Sequence, residues 1–123
     1  MYRFAFWNTV QRILATEMEN LREFYRIRYG ERYRPVLAAG GVELEIMDLS
    51  ETGACCLSNT DIFNATSAIA VEVRLADENT ISTTAKLIRQ EPGRVAVQFF
   101  PSLPLPIIFA EQRRLRRQFP DNY

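Results

Sequence analysis

The sequence has no histidine and only two cysteines, which excludes several kinds of functional site. Without histidine, the chain lacks the commonest general base and the commonest metal ligand. Cys55 and Cys56 are adjacent, so in a strand they would point to opposite faces and pack as two small side chains, unlike a disulfide or a zinc site. We therefore expect no metal, no cofactor and no enzyme activity.

The chain also has no net charge and almost no lysine. Its 15 basic and 15 acidic residues cancel, so it lacks the overall basic field that would attract a nucleic acid polymer. Lys86 is the only basic residue that is not an arginine. The guanidinium group is planar, permanently charged and suited to phosphates and base edges. A genome that favours arginine codons would explain the same bias.

No long apolar run occurs near the amino terminus. The first 20 residues carry polar side chains every few positions and contain no cleavage site, which is typical of neither a signal peptide nor a membrane span. We therefore expect a cytoplasmic protein that does not contact a membrane. With 123 residues, 47% hydrophobic and 24% charged, the chain has the size and composition of one globular domain, residues 1–123.

Hydrophobic periodicity divides this domain into a helix, a run of strands and a second helix. In residues 1–20, large apolar side chains recur at steps of three and four, which predicts a leading helix. Residues 35–100 have a period of two, with turns at AAGG, ADENT and RQEPG separating five or six strands. Without intervening helices the strands must pair antiparallel, most simply as a small barrel. Residues 105–119 return to helical spacing.

The strand VELEIMDL shows the alternation clearly. Because successive side chains of a strand point to opposite faces, Val42, Leu44 and Ile46 are predicted to face inward. The same alternation places Asp48 next in the inward series.

Two short motifs carry more polar groups than packing requires. Arg22 and Arg26 lie four residues apart in REFYR, between the leading helix and the first strand. Asp48 and Ser50 lie two apart at the end of VELEIMDL, and Gly53 allows either a positive φ or the close approach of another group. Taken separately, the first motif is explained by a solvated linker and the second by an ordinary turn.

Taken together, the motifs resemble the PilZ domain family. R-x-x-x-R followed by D-x-S-x-x-G at a strand end, inside a small barrel, is that family's pattern, and the resemblance covers about residues 21–100. FYRIRY into RPVL, IMDLSETGACC and VAVQFF stand in the order of the family's first, second and last strands. The resemblance implies a six-stranded antiparallel barrel that binds the bacterial second messenger cyclic di-GMP, with residues 21–34 as the linker and the start of the barrel.

The resemblance also assigns roles to the motif residues. Arg22 and Arg26 would contact phosphate and guanine, since arginine can grip a phosphate or guanine O6 and N7 through two donors. Asp48 would accept hydrogen bonds from a guanine donor edge. Ser50 would form a hydrogen bond with the ligand or with the loop, and Gly53 would keep the turn open for a close approach.

Two positions depart from the family pattern. Leu21 stands where many members have another arginine, and a stacked pair of ligands would bring four phosphate charges to the site. Without that arginine the site would neutralise these four charges less well, so we predict one bound ligand per protein. Ala96 stands where glycine is usual, which we expect to alter packing alone.

The last helix carries four arginines, Arg113, Arg114, Arg116 and Arg117. They are predicted to form a basic face opposite Ile108 and Leu115. One short helix offers too few phosphate contacts to bind DNA usefully, so this face is better explained as a solvated or partner-facing surface.

These observations favour a ligand-switched binding module. The linker would close over cyclic di-GMP, move the leading helix and change what a protein partner reads, in the control of motility, pili, exopolysaccharide or biofilm. The alternatives are an adaptor with the same barrel that does not bind cyclic di-GMP, an enzyme, for which Ser50 lacks an activating histidine, and a small RNA-binding barrel. We expect a monomer or a weak homodimer.

Overall fold

The computed structural model describes residues 26–58, 63, 67–75 and 79–120. The strands are β1 (Ile27–Arg28), β2 (Val36–Ala39), β3 (Val42–Leu49), β4 (Gly53–Leu57), β5 (Ile69–Arg74), β6 (Thr80–Glu91) and β7 (Arg94–Phe100), and the helix is α1 (Leu105–Gln118). No helix in these described ranges is long and apolar enough to cross a membrane.

The six longer strands close into an antiparallel barrel. They follow the order β3, β2, β5, β6, β7 and β4, and β4 returns to pair with β3. The short strand β1 lies beside the end of β3, where Ile27 is opposite Leu49. The predicted six-stranded barrel and carboxyl-terminal helix are confirmed, whereas the predicted leading helix, residues 1–20, lies outside the described residues.

Alternation fills the barrel with apolar side chains. Along β5, Val71 and Val73 are buried, as the period of two predicts, and the intervening Glu72 is exposed. Ile108 and Leu115 of α1 are fully buried in the same core. Complete burial of a side chain of this size contributes about 1.5–3 kcal/mol, so the helix is held firmly to the barrel.

The AAGG turn forms a tight hairpin between β2 and β3. Ala39 lies opposite Val42, and the two residues between them, Gly40 and Gly41, have φ angles of 56° and 80°. Positive φ at both central positions is the requirement of a type I′ turn, which glycine meets without strain. The predicted turn is confirmed.

A β-bulge interrupts β3 and corrects one prediction. Ile46 lies opposite Cys56 and Asp48 lies opposite Cys55, so Met47 is an extra residue in the strand. The extra residue reverses the alternation beyond it. Leu49 is therefore buried, and Asp48 does not continue the inward series as strict alternation predicts.

A buried ion pair on α1 corrects a second prediction. Glu111 is 1% exposed and accepts a 2.5 Å hydrogen bond from the guanidinium of Arg114. Tyr29 donates its hydroxyl to the same carboxylate at 3.4 Å, and the Arg114 guanidinium lies 4.9 Å from the ring centre of Tyr33. Arg114 thus points inward and does not belong to the predicted basic face.

The buried thiol of Cys56 predicts that stability falls at alkaline pH. Burial, with a smaller contribution from Cys55, raises the pKa of Cys56 from 9.0 to about 12. The unfolded chain releases this proton near pH 9 while the folded protein retains it. The contribution of this thiol to the free energy of unfolding is fully present below pH 9 and is lost as pH rises towards 12. Between these two pH values, we expect ionisation of this thiol in the unfolded chain to lower the free energy of unfolding by about 1.4 kcal/mol per pH unit.

Urea unfolding at pH 8 and pH 10, on the native protein and on Cys56→Ala, measures this effect. Tyr29 and Cys55 are present in both proteins, so the difference between the two pH dependences reports Cys56. Identical pH dependences would contradict the prediction.

Candidate functional site

An ion pair joins the two sequence motifs. Arg26 lies immediately before β1, and β1 pairs with the end of β3, which carries Asp48. The Arg26 Nε and Nη2 atoms lie 3.1 and 3.0 Å from Asp48 Oδ1. The side chains are 41% and 23% exposed, so solvent screens the pair and its contribution to stability is about 0–1 kcal/mol. A ligand can therefore displace this pair at little cost.

The turn between β3 and β4 is held by its own hydrogen bonds. Ser50 N donates to Gly53 O at 2.9 Å, and Ser50 Oγ lies 3.2 Å from Thr52 Oγ1 and 3.4 Å from Gly53 O. Thr52 O accepts a hydrogen bond from Phe99 N of β7 at 2.8 Å. Ser50 thus makes the loop bond that the sequence suggests, in a turn fixed to the barrel.

Gly53 leaves room for the protein's own backbone. A Cβ atom at this position would lie 2.3 Å from Val97 O on β7. Gly53 lies opposite Gln98, so the close approach arises from the pairing of β4 with β7. Of the two explanations that the sequence allows for this glycine, close approach is therefore the one observed, and the approaching group belongs to β7.

These groups border a cleft of about 500 Å³ on the outside of the barrel. Its lining includes Arg26, Asp48, Ser50, Thr52, Gly53, Cys55, Ile88, Arg89, Arg94, Ala96 and Gln98. Three guanidinium groups and one carboxylate are present, so the cleft favours an anion. Four of the five predicted binding residues thus meet here, while Arg22 and Leu21 lie outside the described residues.

A second concavity, of about 440 Å³, lies beside the β2–β3 hairpin and has the opposite charge balance. Its charged residues are Glu43, Glu72 and Arg74. Arg74 lies 2.7 Å from Glu43 and 3.3 Å from Glu72, so two carboxylates oppose its single positive charge and the concavity has a net negative charge. This surface does not suit a phosphate ligand.

Comparison with known proteins shows the family of this sequence. The sequence model of the PilZ domain matches residues 20–117. The chain belongs to the PilZ domain family. Among solved structures, the crystal structure of the Legionella uncharacterized protein Lpg0364 is similar, with a TM-score of 0.57 and 15% identity over 76% of this chain and 95% of that chain. That likeness supports the fold. No curated protein matches the sequence.

The PilZ cleft includes two arginines that sequence reasoning missed, Arg89 on β6 and Arg94 on β7. Neither belongs to the family motifs, and they are far from Asp48 in the chain. The strand register would have identified them, since β7 pairs with both β4 and β6. That register depends on long-range pairing, which local periodicity does not reveal.

The thiol of Cys55 lies on the floor of this PilZ cleft, within reach of its charged groups. Burial, and then the Asp48 carboxylate, raise the pKa of the Cys55 thiol above its ordinary value. Arg94, Arg89 and Arg26 oppose the shift. The pKa of this thiol therefore responds to all four charged groups of the cleft. The described residues contain no cluster of three or more His, Cys, Asp or Glu side chains suited to a metal ion.

Proposed function

We propose that this PilZ domain is a cytoplasmic, non-catalytic receptor for cyclic di-GMP that controls a protein partner. The proposal is supported chiefly by the Arg26–Asp48 pair at the edge of an arginine-lined cleft. Cyclic di-GMP has two phosphodiester charges and two guanines, each with an acceptor edge and a donor edge. The guanidinium groups of the cleft can donate to the phosphates and to the acceptor edge of guanine, and the carboxylate can accept from its donor edge.

Ligand binding replaces the exposed Arg26–Asp48 contact with stronger ones. Among the described residues, Asp48 receives side-chain hydrogen bonds only at Oδ1, from Arg26, so Oδ2 can accept from guanine N1 or N2. Arg26 can turn from Asp48 to a phosphate or to guanine O6 and N7. A well-formed bidentate contact of this kind contributes about 1–3 kcal/mol, more than the exposed ion pair that it replaces.

The proposed switch depends on the segment that carries the arginines. With Arg22 and Arg26 both drawn to the ligand, this linker closes over the cleft and changes the surface that a partner contacts. The ligand drives closure only as far as it binds the closed state more tightly. The partner then determines whether motility, pili, exopolysaccharide or biofilm responds.

A second candidate function is an adaptor that does not bind cyclic di-GMP. It is favoured by the fact that Arg26 and Asp48 pair with each other across the two motifs. In an adaptor this pair would simply fix β1 to β3.

Calorimetric titration with cyclic di-GMP tests the proposal on the native protein, Arg26→Ala and Asp48→Ala. We expect saturable binding by the native protein, weakened about 10- to 100-fold in each variant because a charge-assisted contact is lost. Arg113→Ala, an exposed arginine on α1, is the matched control and should bind normally. We expect one ligand per protein in the native form, and two in Leu21→Arg if a third arginine permits a stacked pair.

Several outcomes would contradict this. A folded native protein that releases no heat would favour the adaptor, and two ligands per native protein would overturn the predicted stoichiometry. GTP should not compete. Chromatography of the nucleotide after incubation should show cyclic di-GMP unchanged, whereas a product would indicate an enzyme.

A further inference from the structure

One row of side chains crosses the floor of the cleft from strand to strand. Asp48 lies opposite Cys55, Cys55 lies opposite Ala96, and Ala96 lies opposite Arg89. Adjacent strands are about 4.8 Å apart, so Asp48 and Arg89 are about 14 Å apart along the sheet. Between them stand only two small side chains. The row is therefore a stretch of small side chains with a charged residue at each end.

Both charged residues face outward because of β-bulges. The bulge at Met47 turns Asp48 out of the inward series, as described above. On β6, Leu87 lies opposite Val97 and Arg89 lies opposite Ala96, so Ile88 is an extra residue. By simple alternation Arg89 would share the inner side with Leu87, but it is exposed and borders the cleft. Bulges often redirect a side chain beside a functional site.

The Arg89 end of the row has the chemistry of a nucleotide contact. Ile88 is 62% exposed, an unusual position for a large apolar side chain, and it borders the cleft. Arg94 borders the cleft from β7, one strand away from Arg89 and two residues before Ala96 of the row. Arg89 lies 3.0 Å from Glu91 in a pair whose side chains are 66% and 48% exposed, so a phosphate can replace Glu91 at little cost.

We propose that Ile88, Arg89 and Arg94 form a second contact wall that binds the half of a cyclic purine dinucleotide remote from Arg26 and Asp48. The two arginines contact its phosphate or the O6 and N7 edge of its base, and Ile88 covers the face of that base. The inference rests on the proposed function. It also gives the site cationic groups beyond the family motifs.

The test is calorimetric titration with cyclic di-GMP of Arg89→Ala, Arg94→Ala and Ile88→Ser, beside Arg26→Ala and the control Arg113→Ala. We expect the affinity to fall about tenfold in each second-wall arginine variant, since one charge-assisted contact is lost. Ile88→Ser should weaken binding less. Arg89→Lys should be intermediate, because lysine keeps the charge but loses the planar fork.

Salt dependence provides a second readout. Each arginine variant should lose affinity less steeply than the native protein as ionic strength rises, because fewer charges attract the ligand. Circular dichroism and urea unfolding confirm that these surface variants remain folded. Native binding that Arg26→Ala weakens, but that both second-wall arginine variants leave within twofold of native, would overturn this inference and keep the proposed function. Absence of native binding would overturn both.

Discussion

Arg114→Ala is expected to lower the free energy of unfolding by about 3–5 kcal/mol, because it leaves a buried carboxylate without its cation. The Glu111 side chain is 0% exposed and that of Arg114 is 14% exposed. Water cannot replace the guanidinium at that depth. Tyr29 donates a single neutral hydrogen bond to Glu111, which does not balance the charge.

The double variant Glu111→Leu/Arg114→Leu separates this effect from a simple loss of packing. Replacing a buried ion pair by apolar side chains of similar volume is often neutral or stabilising, so the double variant should recover most of the lost stability. Arg113→Ala, on the exposed side of the same helix, should change stability by about 0.5 kcal/mol or less. Urea unfolding of all four proteins gives the comparison. Equal, small losses in Arg114→Ala and Arg113→Ala would show that the pair contributes little.

Gly53→Ala is expected to cost about 3 kcal/mol or more, the upper end of what overpacking usually costs. The added Cβ would lie 2.3 Å from Val97 O, well inside any van der Waals contact. That oxygen belongs to the backbone of β7, which is paired on both sides and cannot move aside as a flexible side chain could. Relief requires β4 to separate from β7.

The same variant separates two roles for this glycine. If Gly53 serves barrel closure, Gly53→Ala should unfold at lower urea concentration, while the folded protein still binds cyclic di-GMP. Cys55→Ala, two residues along β4 and on the outer side, should remain close to native stability. Native stability combined with lost binding in Gly53→Ala would instead assign the glycine to the ligand.

Periodicity predicted the barrel because most of its strands obey a period of two without interruption. Along β5 the buried residues fall where alternation places them, and Gly40 and Gly41 form the turn that their conformational freedom allows. Asp48 and Arg89 could not be oriented in this way. Each follows an extra residue, and a bulge becomes visible only when the partner strand is known.

The sequence contained a signal for the burial of Glu111, but that signal was harder to interpret. It lies three residues after Ile108 and four before Leu115, and so falls on the apolar stripe of α1. A charged residue on such a stripe is buried only if it is paired. Its partner Arg114 is one turn away, but Tyr29 is 82 residues distant, and no local pattern predicts that contact.

The bulge at Ile88 has a consequence for self-association. Among the described residues, the pairing of β6 with β5 ends at Ala85, opposite Ile69, while β6 itself continues to Glu91. An open edge can template the addition of a strand from another chain, the first step of aggregation. The bulge breaks the regular spacing of backbone donors and acceptors there, and Lys86 and Arg89 add charge. One extra residue therefore both redirects Arg89 and makes the end of β6 a poor template for a further strand.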